Sequence, residues 1–175
     1  MILPKIRDPR FITIRRGGTL TDDNHHLLAI WAAECAGHVL HYFDDACPND
    51  DRPRRAIEAA YAWVNAEITM MRARDFAGAA QDAAREVKGV SEAARLAALS
   101  AGQAAVVAHV AAHELGAAAY AIRAVMAGSQ KSEQETARKR ECQWQRDRLP
   151  EKIRELVLDD QRLRNDICWF VFGEA

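Results

Sequence analysis

Apolar side chains recur along most of this chain at intervals of three and four, the period of an α-helix, and seldom at intervals of two. Leu27, Trp31, Cys35, Val39 and Tyr42 form one such stripe, on a helix expected from about Asp22 to Ala46. Thr21 suits its N-cap, and Asp22 and Asp23 suit its first turn, where the helix dipole favours acids. Pro48 and Asn49-Asp50-Asp51 end it. A second helix opens near Asp51-Arg52-Pro53-Arg54, since proline in a first turn gives up no intrahelical hydrogen bond. Ile57, Tyr61, Val64 and Ile68 make its inner face. Trp63 lies off that face and needs a contact of its own. A third helix over 70–88 turns Phe76, Ala80, Ala83 and Val87 inward and closes at Lys88-Gly89. Ser91 caps a fourth, which carries Leu96 and Leu99.

The pattern then changes. The stretch Gly102–Ala127, GQAAVVAHVAAHELGAAAYAIRAVMA, has only Glu114 and Arg123 as formal charges, so nearly all its sides are expected to be buried. Its alanines allow close helix approach at little cost in side-chain entropy. It reads as the central column of an α-helical domain. A bend near Gly102 is expected, because a continuous helix of about 36 residues would be unusually long. Val106, His109, His113, Ala117 and Tyr120 would share one stripe of the column. Two imidazoles and a phenol in a core need polar partners.

At the chain start, Phe11-Ile12-Thr13-Ile14 has strand character and Gly17-Gly18 marks a turn. A hairpin or extended arm fits, too short for a sheet core. Residues 131–148 are dense in both charges and read as a solvated helix with an apolar edge at Cys142, joined by Trp144 or Leu149. A last helix over 151–164 turns Ile153, Leu156, Val157 and Leu163 inward. The apolar tail Ile167–Phe172 either docks on the domain or forms an interface. The expected fold is all-α: an arm over 1–20, then one domain over 21–175 built as a bundle of six to seven helices. Residues 131–175 supply a charged helix and a C-terminal helical cap.

A chain of 175 residues suits one domain with a real core. Its net charge of −1 gives no bulk field favouring nucleic acid or an anionic membrane. The start, MILPKIRDP, does not read as a signal peptide. The column is too rich in Ala, Gly and polar residues to insert readily in a bilayer. Four widely spaced cysteines without a CxxC read as free thiols of a cytoplasmic protein.

Chemistry has a few candidate seats. His109 and His113 are four apart, as in a zinc-binding HExxH, but valine follows the first histidine, so that motif fails. His38 and His41 are the weak further metal candidates, and Glu58 is another donor. The alternative is a hydrogen-bonded core pair, facing polar residues of the Asp51–Glu58 turn. Arg52, Arg54 and Arg55 at a helix start either bind an anionic group or form a salt-bridge cluster to Glu58 or the first helix. Arg15-Arg16-Gly17-Gly18 lacks the ending of a phosphate-binding P-loop and reads as a turn locking the arm. His25-His26 reads as wet surface. No cofactor is expected.

The segments FITIRRGGTLTDDNHHLLAIWAAECAGHVLHYF, PNDDRPRRAIEAAYAWV and AGQAAVVAHVAAHELGAAAYAIRAV resemble the Imm-5-like group of bacterial immunity proteins over roughly 8–127. The most specific parts are RPRxAIEAxxxW and AxxxAHVAxHxxGAAxYA. The resemblance implies a protein that neutralises a cognate toxin by binding it, without catalysis. It points to Arg52, Pro53, Arg54, Glu58, Trp63, His109 and His113 as shared positions. The tail around Trp169-Phe170 and the charged helix 131–148 are the candidate contact regions, and a homodimer through the tail is a further expectation. The competing reading is a small-molecule- or metal-binding helical protein, a resistance factor or an enzyme, with a pocket lined by His109, His113, Arg52 and Arg54, and with Arg15, Arg16 and Tyr120 among the candidate ligand or network residues.

Overall fold

In a computed structural model, residues 3–173 are described. Three of the eight helices begin at a side-chain cap: Thr21, Thr69 and Ser91 each accept the backbone N–H three residues on, at 3.2 Å. The helices are α1 (Asp22–Val39), α2 (His41–Ala46), α3 (Arg52–Val64), α4 (Met70–Glu86), α5 (Glu92–Val106), α6 (Glu114–Gly128), α7 (Gln134–Asp147) and α8 (Glu151–Leu163). No strand occurs among the described residues, and the fold is all-α. The first expected helix is split at Leu40, whose backbone stays in the right-handed region (φ −59°, ψ −32°), so α1 and α2 are one kinked run. Counted so, the bundle has seven helices.

Helix α5 sits in the middle, packed against α1, α2, α3, α4 and α6. Its neighbours come close because the contacts are small: Ala97, Ala101, Ala104 and Ala105 are fully buried. Gly102 belongs to this packing and makes no bend. A Cβ there would stand 3.2 Å from the Ala77 carbonyl oxygen of α4.

The column is not one helix. It stops at Val106 and restarts at Glu114. Between them Val110 is extended (φ −140°, ψ 108°) and Ala111–His113 form a 3-10 turn. The stripe drawn through Val106, His109, His113, Ala117 and Tyr120 is therefore broken. No glycine or proline marks the spot. The β-branched Val106, Val107 and Val110 weaken the helix locally. Side chains from outside take up carbonyls of the interruption: His25 Nε2 donates to Val107 O (2.7 Å), and Arg164 Nη1 to Ala112 O (2.9 Å). His25 is thus buried, contrary to the wet-surface expectation.

Arg164 holds more than that carbonyl. Its Nε donates to Asp160 Oδ1 (2.8 Å), its Nη2 to Glu114 Oε1 (3.1 Å), and its guanidinium lies 5.8 Å from the Phe11 ring centre. Glu114, one of the two formal charges of the column, is fully buried as the first residue of α6. Burial pushes its carboxyl well above the usual range; Arg164 opposes that and Asp160 adds to it. Burial also opposes the charge on Arg164, but the two acids outweigh it and raise its pKa.

The charged helix is less solvated than expected. Trp31 Nε1 donates to Gln145 O (2.9 Å), Gln145 Nε2 to Ala118 O (3.2 Å) and to Glu141 Oε1 (3.0 Å), and His38 Nδ1 meets Glu141 Oε2 (2.8 Å). These bonds tie α7 to α1 and α6 through buried polar groups. In α8, Ile153 and Val157 face inward, but Leu163 is 51% exposed. The tail docks through Cys168, Val171 and Phe172. The arm is no hairpin. It makes two 3-10 turns, Pro9–Phe11 and Ile14–Arg16, and a single bridge from Thr13 to Leu20. Gly18 allows that closure, since a Cβ would fall 2.1 Å from Ile12 O. Arg10 pins the arm to Asp8 (2.6 Å) and to Asp159 of α8 (2.8 Å).

The buried triad yields an asymmetric prediction. Arg164→Met strands two acids and the Ala112 carbonyl, and should cost about 3–5 kcal/mol. Glu114→Gln mimics the neutral form that burial favours and should cost much less. Urea denaturation at pH 7 of both variants tests this. Equal losses would contradict the unequal roles.

Candidate functional site

Where the backbone leaves the helix after α5, a cleft of about 440 Å³ opens between the break and the arm. One wall is cationic, with Arg7, Arg15 and Arg16 of the arm. The other is formed by His109, Val110 and Ala111 of the break, His25 of α1, Trp63 at the end of α3 and Met70 at the start of α4. Among the described residues no Asp or Glu lines it. Arg15 pairs with Asp22 (2.9 Å) on the exposed side.

Four of the sequence candidates thus come together: Arg15, Arg16, Trp63 and His109. Trp63, unexplained by its helix face, packs against His25 and His26 with ring centres 4.8 and 5.0 Å apart. His109 Nδ1 donates to the Met70 sulfur at 3.3 Å. Burial lowers its pKa first, and the charges of Arg74, Arg16 and Arg7 lower it further. Arg7, His25 and Met70 escaped the sequence reading. The only sequence signal for His25 was its place in the first turn of α1, which did not show that a carbonyl would need it.

His113 stands behind the cleft, outside its lining. Its Nδ1 donates to Gln103 Oε1 (2.7 Å). Gly116 makes room for that amide, since a Cβ there would lie 2.4 Å from Gln103 Oε1. Burial, then the nearby Arg164, His109 and Arg7, push the His113 pKa down to about 4.

Arg52, Arg54 and Glu58 are elsewhere, so the expected pocket of His109, His113, Arg52 and Arg54 does not form. Along α3, Arg52 is roughly 17 Å from Trp63. Arg52 grips Asp50 (2.6 Å) and Glu86 (2.6 Å), and Arg54 pairs with Asp44 of α2. This is the salt-bridge alternative, but Glu58 takes no part in those pairs and is exposed. The polar partners of His109 and His113 are Met70 and Gln103, not the Asp51–Glu58 turn. The metal candidates are also dispersed. His38 stacks on Trp144 at 3.6 Å and His41 lies against Tyr42 at 4.2 Å. Among the described residues no three His, Cys, Asp or Glu side chains gather as a metal site.

Tyr120 belongs to a second region. Its ring is 5.2 Å from Trp169, and the Arg123 guanidinium lies 4.1 Å from the centre of that indole. Trp169 and Phe170 are 42% and 55% exposed, and both hold left-handed backbone with φ of 57°. The tail fixes that geometry. Arg138 donates to Val171 O (2.7 Å), Arg146 to Phe172 O (2.7 Å), and the Asn165 side chain bonds Phe172 N and Gly173 O.

The depressed pKa of His113 predicts a pH dependence. Unfolding returns the imidazole to about 6.5, so below that pH the unfolded chain binds a proton that the folded one refuses. Stability contributed by neutral His113 is complete above pH 6.5 and falls as pH drops to about 4, by roughly 3 kcal/mol in all. His113→Gln keeps a donor toward Gln103 and should remove that part of the slope. Urea midpoints at several pH values between 7 and 4 check it. Gly116→Ala should cost about 1–3 kcal/mol by crowding Gln103.

No curated protein and no solved structure shows a significant match to the chain. A family model does match, over residues 18–152, which take in Trp63, the interruption and both of its histidines. That span is well over half of the chain, and the protein belongs to the Imm-5 like putative immunity protein family.

Proposed function

We propose that the protein protects its cell by binding and occluding a toxin, with no catalytic step of its own. One observation carries the choice of surface. Trp169 and Phe170 stand in solvent on consecutive left-handed residues. Bulky side chains avoid that backbone, and each such residue costs about 1–3 kcal/mol. The hydrogen bonds from Arg138, Arg146 and Asn165 hold the strained turn in place, so the aromatic pair is presented rather than tucked away. Trp, Tyr and Arg are the residues on which interfaces concentrate their energy, and Trp169, Tyr120 and Arg123 meet here. Burial lowers the Arg123 pKa, and the guanidinium forms no ion pair among the described residues. A toxin that offers a carboxylate to Arg123 and an apolar socket to Phe170 fits this patch.

The reading places the protein in the cytoplasm. Four free cysteines support a reducing compartment. No described helix is long and apolar enough to cross a membrane.

The test is co-purification with the protein encoded next to it, using Phe170→Gly and Trp169→Ala variants. Glycine relieves the strain, so Phe170→Gly should melt at the wild-type temperature or above it. It should weaken toxin binding by about 30-fold, the loss of a hot-spot side chain. Wild-type binding by both variants would remove the patch from the interface. A stable dimer disrupted by the same changes would assign the patch to a second copy instead.

A further inference from the structure

The arginines of this protein are nearly all engaged. Arg10, Arg52, Arg54, Arg95 and Arg162 pair with carboxylates. Arg55, Arg123 and Arg148 lie over aromatic rings. Arg7, Arg16 and Arg74 have no such partner among the described residues, and all three act electrostatically on His109 at the cleft. Two of them, Arg7 and Arg16, line the cleft itself. Three acids close to the arm are already taken: Asp8 by Arg10, Asp22 by Arg15, and Asp159 by Arg10 and Arg162.

The cleft is also preformed. Phe11 and Leu20 are buried, Gly18 lies against Ile12, and Arg10 ties the arm to α8, so the cationic wall is held in place. The opposite wall is neutral. His25 spends its Nε2 proton on Val107 O, His109 meets Met70, and Trp63 and Val110 add apolar surface. A volume of about 440 Å³ suits a small molecule. We propose that this cleft is a binding site for a small organic anion, a phosphate ester or a polycarboxylate, held by Arg7 and Arg16 with its carbon skeleton against Trp63. Guanidinium forks match both oxyanions, and a site without carboxylates opposes neither. The proposal is independent of toxin binding, and its test needs no toxin.

Isothermal titration in low-salt buffer with adenosine monophosphate and with citrate tests it, on the wild type and two variants. The expected result is one saturable site for at least one probe, weakened at least ten-fold in Arg7→Ala/Arg16→Ala. Arg140→Ala removes an exposed arginine of α7 that does not line the cleft, and should leave affinity within two-fold. The preferred probe then assigns the site to phosphate or carboxylate. Thermal melts confirm that the double variant is folded, as expected for exposed residues without partners. Absence of saturable binding by either probe below about 1 mM would overturn the proposal. So would an equal loss in Arg140→Ala, which would mean diffuse attraction rather than a site.

Discussion

A carbonyl taken out of water without a donor costs about as much as any single contact in a small domain stabilises. The interruption between α5 and α6 puts such carbonyls inside the bundle, and two long side chains reach in to satisfy them. One comes from the first turn of α1 and the other from just after α8. The position of both ends of the fold is therefore set by the break in its middle. Arg164 carries the larger share, since it also bonds Glu114 and Asp160 and underlies Phe11 of the arm. Arm, column and tail meet at one guanidinium.

The break also makes the cleft. A continuous column would present a smooth alanine surface to the arm. Instead Val110 is extended, and His109, Val110 and Ala111 line the wall. The electrostatics follow from the same packing. The net charge of the chain is close to zero, yet Arg7 and Arg16 of the arm stand without carboxylate partners among the described residues, beside histidines whose pKa burial and the arginines lower. A local field of this kind is invisible to composition.

Much of the fold was legible because helix period and caps are local properties. Thr21 and Ser91 start helices where expected, and the inner faces through Trp31, Cys35 and Ala80 are buried. The break was not legible, because its cause is distributed. Three valines lower helix propensity slightly, and the decisive donors sit far away in sequence, at His25 and Arg164. For the site, Trp63 gave the useful signal, an aromatic that its own helix face could not explain. Arg52 and Arg54 were ambiguous in the sequence, because a recognisable motif can be conspicuous for a salt bridge between helices as readily as for a ligand, and they take the salt-bridge alternative.

The span matched by the family divides the molecule in an informative way. Residues 18–152 contain the break, Trp63, Met70 and both site histidines. Outside that span lie Arg7, Arg15 and Arg16 of the cationic wall, and Trp169 and Phe170 of the exposed patch. The framework that shapes the cleft lies within the family model, while the arginines of its cationic wall and the aromatic pair of the patch come from the two chain ends and work with Trp63, Tyr120 and Arg123 inside the span. Such ends must be anchored if they are to recognise anything with precision, because a loose anchor adds an ordering cost to every binding event. Arg164 meets that need from outside the matched span, by bonding Glu114 and Ala112 within it. The buried triad is the joint that makes the two chain ends rigid parts of the helical scaffold.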